Sequence, residues 1–371
     1  MGTNTTVILG GYGGAGSAIS KLLLDKTDLC LKVAGRREEM AHVFSERLNE
    51  EFPGERASYI HADASDPKSL KEAFSGADMV IAASTTTTPY VRNVAQAALD
   101  AGVDYLDIHY PQEIVSTLKD MAPAIEKSGL FFVTQAGFNP GMPSVFVRKA
   151  APYFSRYEKA KVAVAMNSWF ETRGSVYEIV DSFGDYSAEV FKKGKWRKAG
   201  YKDMPKFEFG PPFGTKTCYP MTLEEMKALP NLFDLDELGF YAAGLNWFVN
   251  YLVAPATFLL WKVKRELGRD FLADLAVWGS KRFSPREEAV AVLLEAEGLK
   301  EGKERRVRIE ASHHDVYLFT VISVTSFMLQ YLKRDIVRPG LWVMGHIMDP
   351  ARFFEDMELM GAKIDVEVSG V

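Results

Sequence analysis

The stretch VILGGYGGAGSAISKLLL, residues 7–24, constrains this chain more than any other. Its short β-branched start ends in glycine and reads as a buried parallel strand. SAISKLLL reads as the helix that follows, with Ala18, Ile19, Leu22 and Leu23 at helical spacing. Glycine loses more backbone freedom on folding than any other residue. A glycine cluster at a strand-to-helix turn therefore needs a reason. Residues 11–16 fit G-x-G-x-x-G. In that pattern Gly11 permits a tight turn, Gly13 lets backbone approach a pyrophosphate, and Gly16 lets helix and strand pack closely. The phosphate sits on free N–H groups at the helix start. Gly11, Tyr12, Gly13, Gly14, Ala15 and Gly16 are thus the candidate cofactor cradle; the bland alternative is a tight turn with no ligand.

The next strand, LCLKVAGRR, ends at Arg36-Arg37. An NAD site usually carries Asp or Glu there, on the ribose 2′-hydroxyl. A carboxylate would repel a 2′-phosphate, whereas a guanidinium binds it through two parallel hydrogen bonds. Arg36 and Arg37 therefore favour NADP, with NAD possible; otherwise both are solvated surface charge.

Strand and helix patterns continue to alternate. SYIHADASD (58–66), ADMVIAAS (77–84), DYLDIH (104–109) and LFFVTQAG (130–137) read as strands, and PYVRNVAQAALDAG (89–102) and APAIEKSG (122–129) as helices. Such alternation calls for an α/β fold with a doubly wound parallel sheet. Ligands bind at the carboxyl ends of such strands. Asp63, Ala64, Ser84, Thr85 and Gly137 fall there as cofactor candidates, with Pro89 and Phe138 nearby.

The chain has 371 residues, enough for about two domains. Its net charge of -5 gives no argument for nucleic acid. Cys30 and Cys218 suggest neither a disulfide framework nor a zinc site. The opening MGTNTT shows no secretory pattern and loosely fits a myristoylation pattern, so a cytoplasmic setting is the default. No metal constellation is visible; His313 and His314, adjacent on a strand, should point to opposite faces.

Hydride chemistry needs a placed nicotinamide and a polar group to manage a proton. His109 and Tyr110 end a strand and are candidates, with Asp107 on the face of His109 able to orient it. Asn139 could bind the carboxamide or the substrate, or simply form the turn before Pro140. Arg173 is the candidate ligand for a substrate carboxylate. From Leu238 to Trp261 no residue is charged, and KVKR follows. This stretch is long enough to cross a bilayer. Asn246, Asn250 and Pro255 argue against a span, which leaves a buried helix or dimer contact, or a surface-inserted hairpin at a membrane.

VILGGYGGAGSAI, VAGRR, HADASDPKSL, AGVDYLDIH and QAGFNPGMPSVFVRK together resemble the saccharopine dehydrogenase family of NAD(P)-dependent oxidoreductases. SFGDYSAEVFKKGKWR, EAEGLKEGKERRVRIEA and the tail 334–364 extend the resemblance over nearly the whole chain. It departs at Asn139, where saccharopine-forming members typically carry Asp, and in WVMGHIMDP, where the family usually has a proline-glutamate pair. The resemblance implies a nucleotide domain of 1–140 plus 315–371, with an inserted α+β substrate and dimerisation domain of 141–314. Strand-like stretches AKVAVAMNSW (160–169), YPMTLEEM (219–226), AVAVLLEAEG (289–298) and RRVRIEAS (305–312) suit that insertion, and TVISVTSFMLQYL (320–332) would be a helix on the nucleotide sheet. It further implies a homodimer and a small-molecule substrate between the domains: an amine or imine, an opine-like compound or a carbonyl. The alternatives are a non-catalytic nucleotide-binding or membrane-associated module, and a lipid-directed reductase.

Overall fold

The computed structural model describes residues 4–84, 88–170, 173 and 176–370. The backbone forms two compact units. One joins the residues through Val145 to Tyr317–Met360, and the other joins Phe146–Val316 to the residues from Gly361.

The first unit carries strands β1 (Thr5–Leu9), β2 (Cys30–Gly35), β3 (Ala57–His61), β4 (Met79–Ala82), β5 (Asp104–Asp107) and β6 (Phe131–Thr134). With the strand Gly340–Val343 they make a seven-stranded sheet. Its order is Gly340–Val343, β6, β5, β4, β1, β2, β3, and every pair is parallel. The expected doubly wound fold is therefore present. β4 is apolar along its whole length and β1 from Val7 onward, as strands covered by helices on both faces are. Val7, Ile8, Val80 and Ile81 are fully buried, each contributing about 1.5–3 kcal/mol of hydrophobic stabilisation. Chain order reverses at β1, which has β2 on one side and β4 on the other; Leu9 lies opposite Ala34 and Ala82. That reversal is the switch point where such sheets bind ligands.

Local chemistry fixes the helices. In α1 (Gly14–Lys26), Ile19 and Leu23 share the buried face one turn apart, with Ser20 and Leu24 beside them. Asp66 caps the helix Pro67–Phe74 by accepting from Lys68 N at 3.0 Å, with proline at the first helical position. The helix Val316–Leu332 is buried along most of its length. It is tied to the sheet where the Tyr331 hydroxyl donates to Asp104 Oδ2 at 2.8 Å.

The second unit is built on an eight-stranded mixed sheet. Its order runs Lys363–Gly370, Lys303–His313, Ala289–Lys300, Arg156–Asn167, Glu237–Ala242, Glu189–Lys192, Lys195–Lys198, with Tyr219–Met221 also paired to Glu237–Ala242. Several expectations give way here. Within the segment 315–371, Gly340–Val343 pairs with β6 in the nucleotide sheet, while Lys363–Gly370 pairs antiparallel with Lys303–His313. YPMTLEEM is a strand only over Tyr219–Met221, and Glu224–Met226 turns into a 3₁₀ helix. Leu238–Trp261 is neither one helix nor a span. Its first part is the strand Glu237–Ala242, uncharged because Leu238, Phe240 and Tyr241 are buried between paired strands. Its last part is helical, and among the described residues no helix is long and apolar enough to cross a membrane. His313 ends its strand, so the His313 and His314 rings stack 4.3 Å apart rather than pointing to opposite faces.

The second unit also buries a charge. Asp203, 5% exposed, accepts from Arg197 Nη1 and Nη2 at 2.9 and 2.6 Å, from Lys192 Nζ at 3.1 Å and from Gly200 N at 2.9 Å. The Arg197 hydrogen bonds, above all, hold its carboxyl well below the usual 3.8. A depressed carboxylate stabilises the fold above its unfolded value and loses that contribution as pH falls through the folded one. Asp203→Asn is therefore expected to cost about 2 kcal/mol at neutral pH. It should also flatten the fall in denaturant midpoint below about pH 4; an unchanged acid limb would contradict this role.

Candidate active site

The glycine turn is set by backbone contacts. Gly10 takes φ +83° and donates to Ala34 O at 2.8 Å; Gly11 donates to Ile8 O at 3.1 Å, and Gly13 to Gly10 O at 2.8 Å. A Cβ on Gly16 would lie 2.2 Å from the Gly10 carbonyl oxygen, so only glycine lets α1 start this close to β1. A Cβ on Gly14 would meet nothing within 4 Å, and one on Gly13 only Gly10 O at 3.1 Å. Gly13 is thus partly set by packing, whereas Gly14 is bare where the fold's own packing asks for nothing. The start of α1 has no side-chain cap and no acid in its first turn. The N–H groups of Gly14, Ala15 and Gly16 have no acceptor among the described residues. Open space, unengaged donors and a helix dipole fit a diphosphate.

Tyr12 turns away from this cradle. Its ring lies across Gly35, where a Cβ would come within 2.4 Å of it. Its hydroxyl accepts from Arg37 N at 3.0 Å, and the Arg37 guanidinium sits 5.7 Å from the ring centroid. Tyr12 and Arg37 thus hold each other at the end of β2. Arg36 is exposed and has no salt-bridge partner among the described residues, which leaves its fork open for a phosphate. Asp63 accepts from Ser65 N and Oγ at 2.8 and 2.7 Å. Those bonds, ahead of the nearby Arg36 charge, hold its carboxyl below the usual range. The Ala64 carbonyl accepts from Asn93 Nδ2 at 3.3 Å.

The ends of β4, β5 and β6 are stitched together. Ser84 packs on Gly10, and its carbonyl accepts from His109 Nε2 at 3.1 Å. A carbonyl can only accept, so this nitrogen carries the proton. His109 is 6% exposed, and its Nδ1 lies 3.5 Å from Asp107 Oδ1. The same oxygen accepts from His109 N (3.1 Å), Thr134 Oγ1 (3.0 Å) and Gln135 N (3.2 Å). His109 is therefore a brace between two strand ends, and Asp107 accepts there from backbone N–H groups and from Thr134. Tyr110 is half-buried beside it, and its carbonyl accepts from Gln112 Nε2 at 2.6 Å. Gly137 is committed to a tight turn, donating to Pro140 O at 3.0 Å and accepting from Ser323 Oγ at 3.1 Å. Asn139 Oδ1 and Ser84 Oγ are buried with no hydrogen-bond partner among the described residues. Thr85 lies outside the described residues.

Gln135 escaped the sequence reading. It is 1% exposed at φ +61°, a conformation that costs a non-glycine residue about 1 kcal/mol or more. Its Nε2 donates to Gln112 Oε1 at 3.0 Å, and its own Oε1 is buried without a partner among the described residues. The available signal was the polar pair Thr134-Gln135 closing an otherwise apolar strand.

Arg173 departs from its expected role. Its guanidinium forks onto Asp274, with Nη2 at 2.5 Å from Oδ2, and Asp270 lies 3.7 Å away. Its donors are occupied inside the second unit, so the substrate carboxylate has no ligand assigned there. Among the described residues no group of three or more His, Cys, Asp or Glu is placed to hold a metal ion.

The contrast between Gly14 and Gly16 gives a test. Gly14→Ala should leave the melting temperature unchanged or slightly raised, since its Cβ meets nothing, yet weaken NADPH binding about tenfold or more by filling the cradle. Gly16→Ala should lower the melting temperature as well. Calorimetric titration and thermal melts check both; a Gly14→Ala protein that binds as tightly as wild type would place the ligand elsewhere.

The chain is similar to known proteins over its first unit and over most of its length. Residues 6–133, which span β1 to β6, match the family model of the saccharopine dehydrogenase NADP binding domain. Carboxynorspermidine synthase from Vibrio cholerae serotype O1 is 24% identical over 331 residues, 75% of either chain. Its namesake from Vibrio alginolyticus is 22% identical over 325 residues, 74% of either chain. Among solved structures, apo histidine-tagged saccharopine dehydrogenase (L-Glu forming) from Saccharomyces cerevisiae matches with a TM-score of 0.66 at 14% identity. That match covers 99% of this chain and 100% of the other, and shows likeness of fold. The first unit thus carries an NADP binding domain of the saccharopine dehydrogenase type.

Proposed function

We propose that the chain is an NADP-dependent oxidoreductase acting on the carbon–nitrogen bond of a small amine or imine. The observation that carries this reading is the uncapped start of α1, with three unengaged N–H groups over bare Gly13 and Gly14. Gly14, Ala15 and Gly16 hold the diphosphate, and Arg36 holds the 2′-phosphate. NADP(H), when bound, supplies or takes up the hydride. Asp107 and His109 fix the strand ends on which the reacting groups rest. Tyr110 and Asn139 remain the groups proposed to orient the substrate and manage its proton, since Asn139 Oδ1 has no other partner among the described residues. The names of the relatives support an amino compound, because one makes carboxynorspermidine and the other is L-Glu forming. A carbonyl substrate is the lesser reading.

Titration of wild type and Arg36→Ala with NADPH and with NADH tests the cofactor half. Wild type should prefer NADPH. The variant should lose about 10- to 100-fold in NADPH affinity, the worth of a charge-assisted phosphate contact, while NADH binding stays unchanged. Equal losses for both cofactors would remove Arg36 from the site. For the chemistry, NADPH consumption should require a carbonyl compound and an amine together; consumption with the carbonyl alone would favour the lesser reading.

A further inference from the structure

The second unit carries a surface that the proposed chemistry does not use. A π-helical turn, Val249–Val253, leads into the helix Ala254–Val263, and the helix Arg269–Phe283 returns after a short connection. The inner sides are packed. Val249, Val253, Leu272, Ala273 and Ala276 share a buried cluster with Val176 and Val180. Trp261 lies so close over Gly184 that a Cβ there would sit 2.1 Å from its ring. The outer sides are apolar too. Leu252 is 50% exposed, Leu259 62%, Val263 80% and Phe271 67%, and Trp247 and Trp278 are each 52% exposed. A helix apolar on every side belongs in a core or a membrane boundary rather than in water, and so many exposed large side chains in so short a segment mark a contact surface.

Geometry and charge say what covers it. Trp247 meets Phe283 at 4.8 Å and Phe248 meets Trp278 at 5.2 Å, so the pair is an antiparallel hairpin closed at that end. Leu259, Val263 and Phe271 cluster towards its other end, around the connection between the helices. Residues 244–283 hold six Lys or Arg and three Asp or Glu, a net charge of +3 in a chain of net charge -5. Arg265 and Arg269 are paired with Asp185 and Asp181 at 2.9 and 2.7 Å. Lys262, Lys264 and Arg282 have no salt-bridge partner among the described residues. In a two-fold contact this patch would meet itself, setting those cations against their own copies. An anionic surface answers both the apolar ridge and the charge. We propose that this hairpin docks on an anionic phospholipid bilayer: Leu259, Val263 and Phe271 enter the acyl boundary while Lys262, Lys264 and Arg282 meet lipid phosphates. The contact lies on the bilayer and does not cross it.

Flotation of the full-length protein with vesicles tests this, using phosphatidylcholine alone and phosphatidylcholine mixed with phosphatidylglycerol. The protein should float with the anionic vesicles, and less so at high salt. Lys262→Ala with Lys264→Ala should weaken binding about 25-fold, at about fivefold per charge. Leu259→Glu with Val263→Glu should abolish flotation. Both side chains are mostly exposed, so this variant should keep the wild-type melt and NADPH affinity, which separates failure of the surface from failure of the nucleotide site. Absence of flotation, or equal flotation with neutral vesicles, would overturn the proposal. A dimer that the Leu259→Glu, Val263→Glu pair dissociates would also overturn it and give the face to a second copy.

Discussion

Everything at the carboxyl edge of the first sheet depends on how closely α1 starts to β1. The Gly16 backbone rests on the Gly10 carbonyl with no room for a methyl group between them. That contact aims the unsatisfied N–H groups of the helix start over the switch point of the sheet, where the dipole and the donors act together. It also places Gly10 against Ser84, whose carbonyl accepts a hydrogen bond from His109 Nε2, and His109 in turn lies against Asp107. Asp107 then gathers Thr134 and Gln135. One chain of contacts thus runs across the ends of β1, β4, β5 and β6.

The arginines show how neighbouring residues of one type are given different work. Arg37 is spent locally on Tyr12, while Arg36 next to it makes no salt bridge among the described residues. Arg173 is engaged by Asp274 and Asp270 across about a hundred residues of chain. A paired guanidinium is a structural strut and an unpaired one is a binding group. That contrast supports the proposal that Arg36, rather than Arg173, meets a ligand.

What the sequence made legible was whatever a local pattern encodes. The turn at 11–16, the alternation of strands with helices and the place of His109 at a strand end all follow from period and glycine spacing. Contacts between distant residues were beyond such reading. Nothing local says that Tyr12 lies across Gly35, that Gln135 adopts a left-handed conformation, or that Arg173 finds Asp274. The uncharged run at 238–261 misled for a physical reason: a buried central strand and an apolar helix look alike in composition. They are told apart only by pairing, here of Glu237–Ala242 with Arg156–Asn167. The place of His109 was legible but its hydrogen bond to the Ser84 carbonyl was not, because that acceptor follows a neighbouring strand.

The central claim is that the start of α1 and Arg36 together hold a cofactor by its phosphates. Phosphorus NMR of NADP bound to the protein, followed against pH, tests it most directly. A phosphate monoester takes up its second proton near a pH of about 6. Beside an unpaired guanidinium the 2′-phosphate should stay dianionic well below that, its resonance flat while the free cofactor titrates, and the diphosphate resonances should shift on binding. A 2′-phosphate that titrates on the protein as it does in free solution would contradict the account.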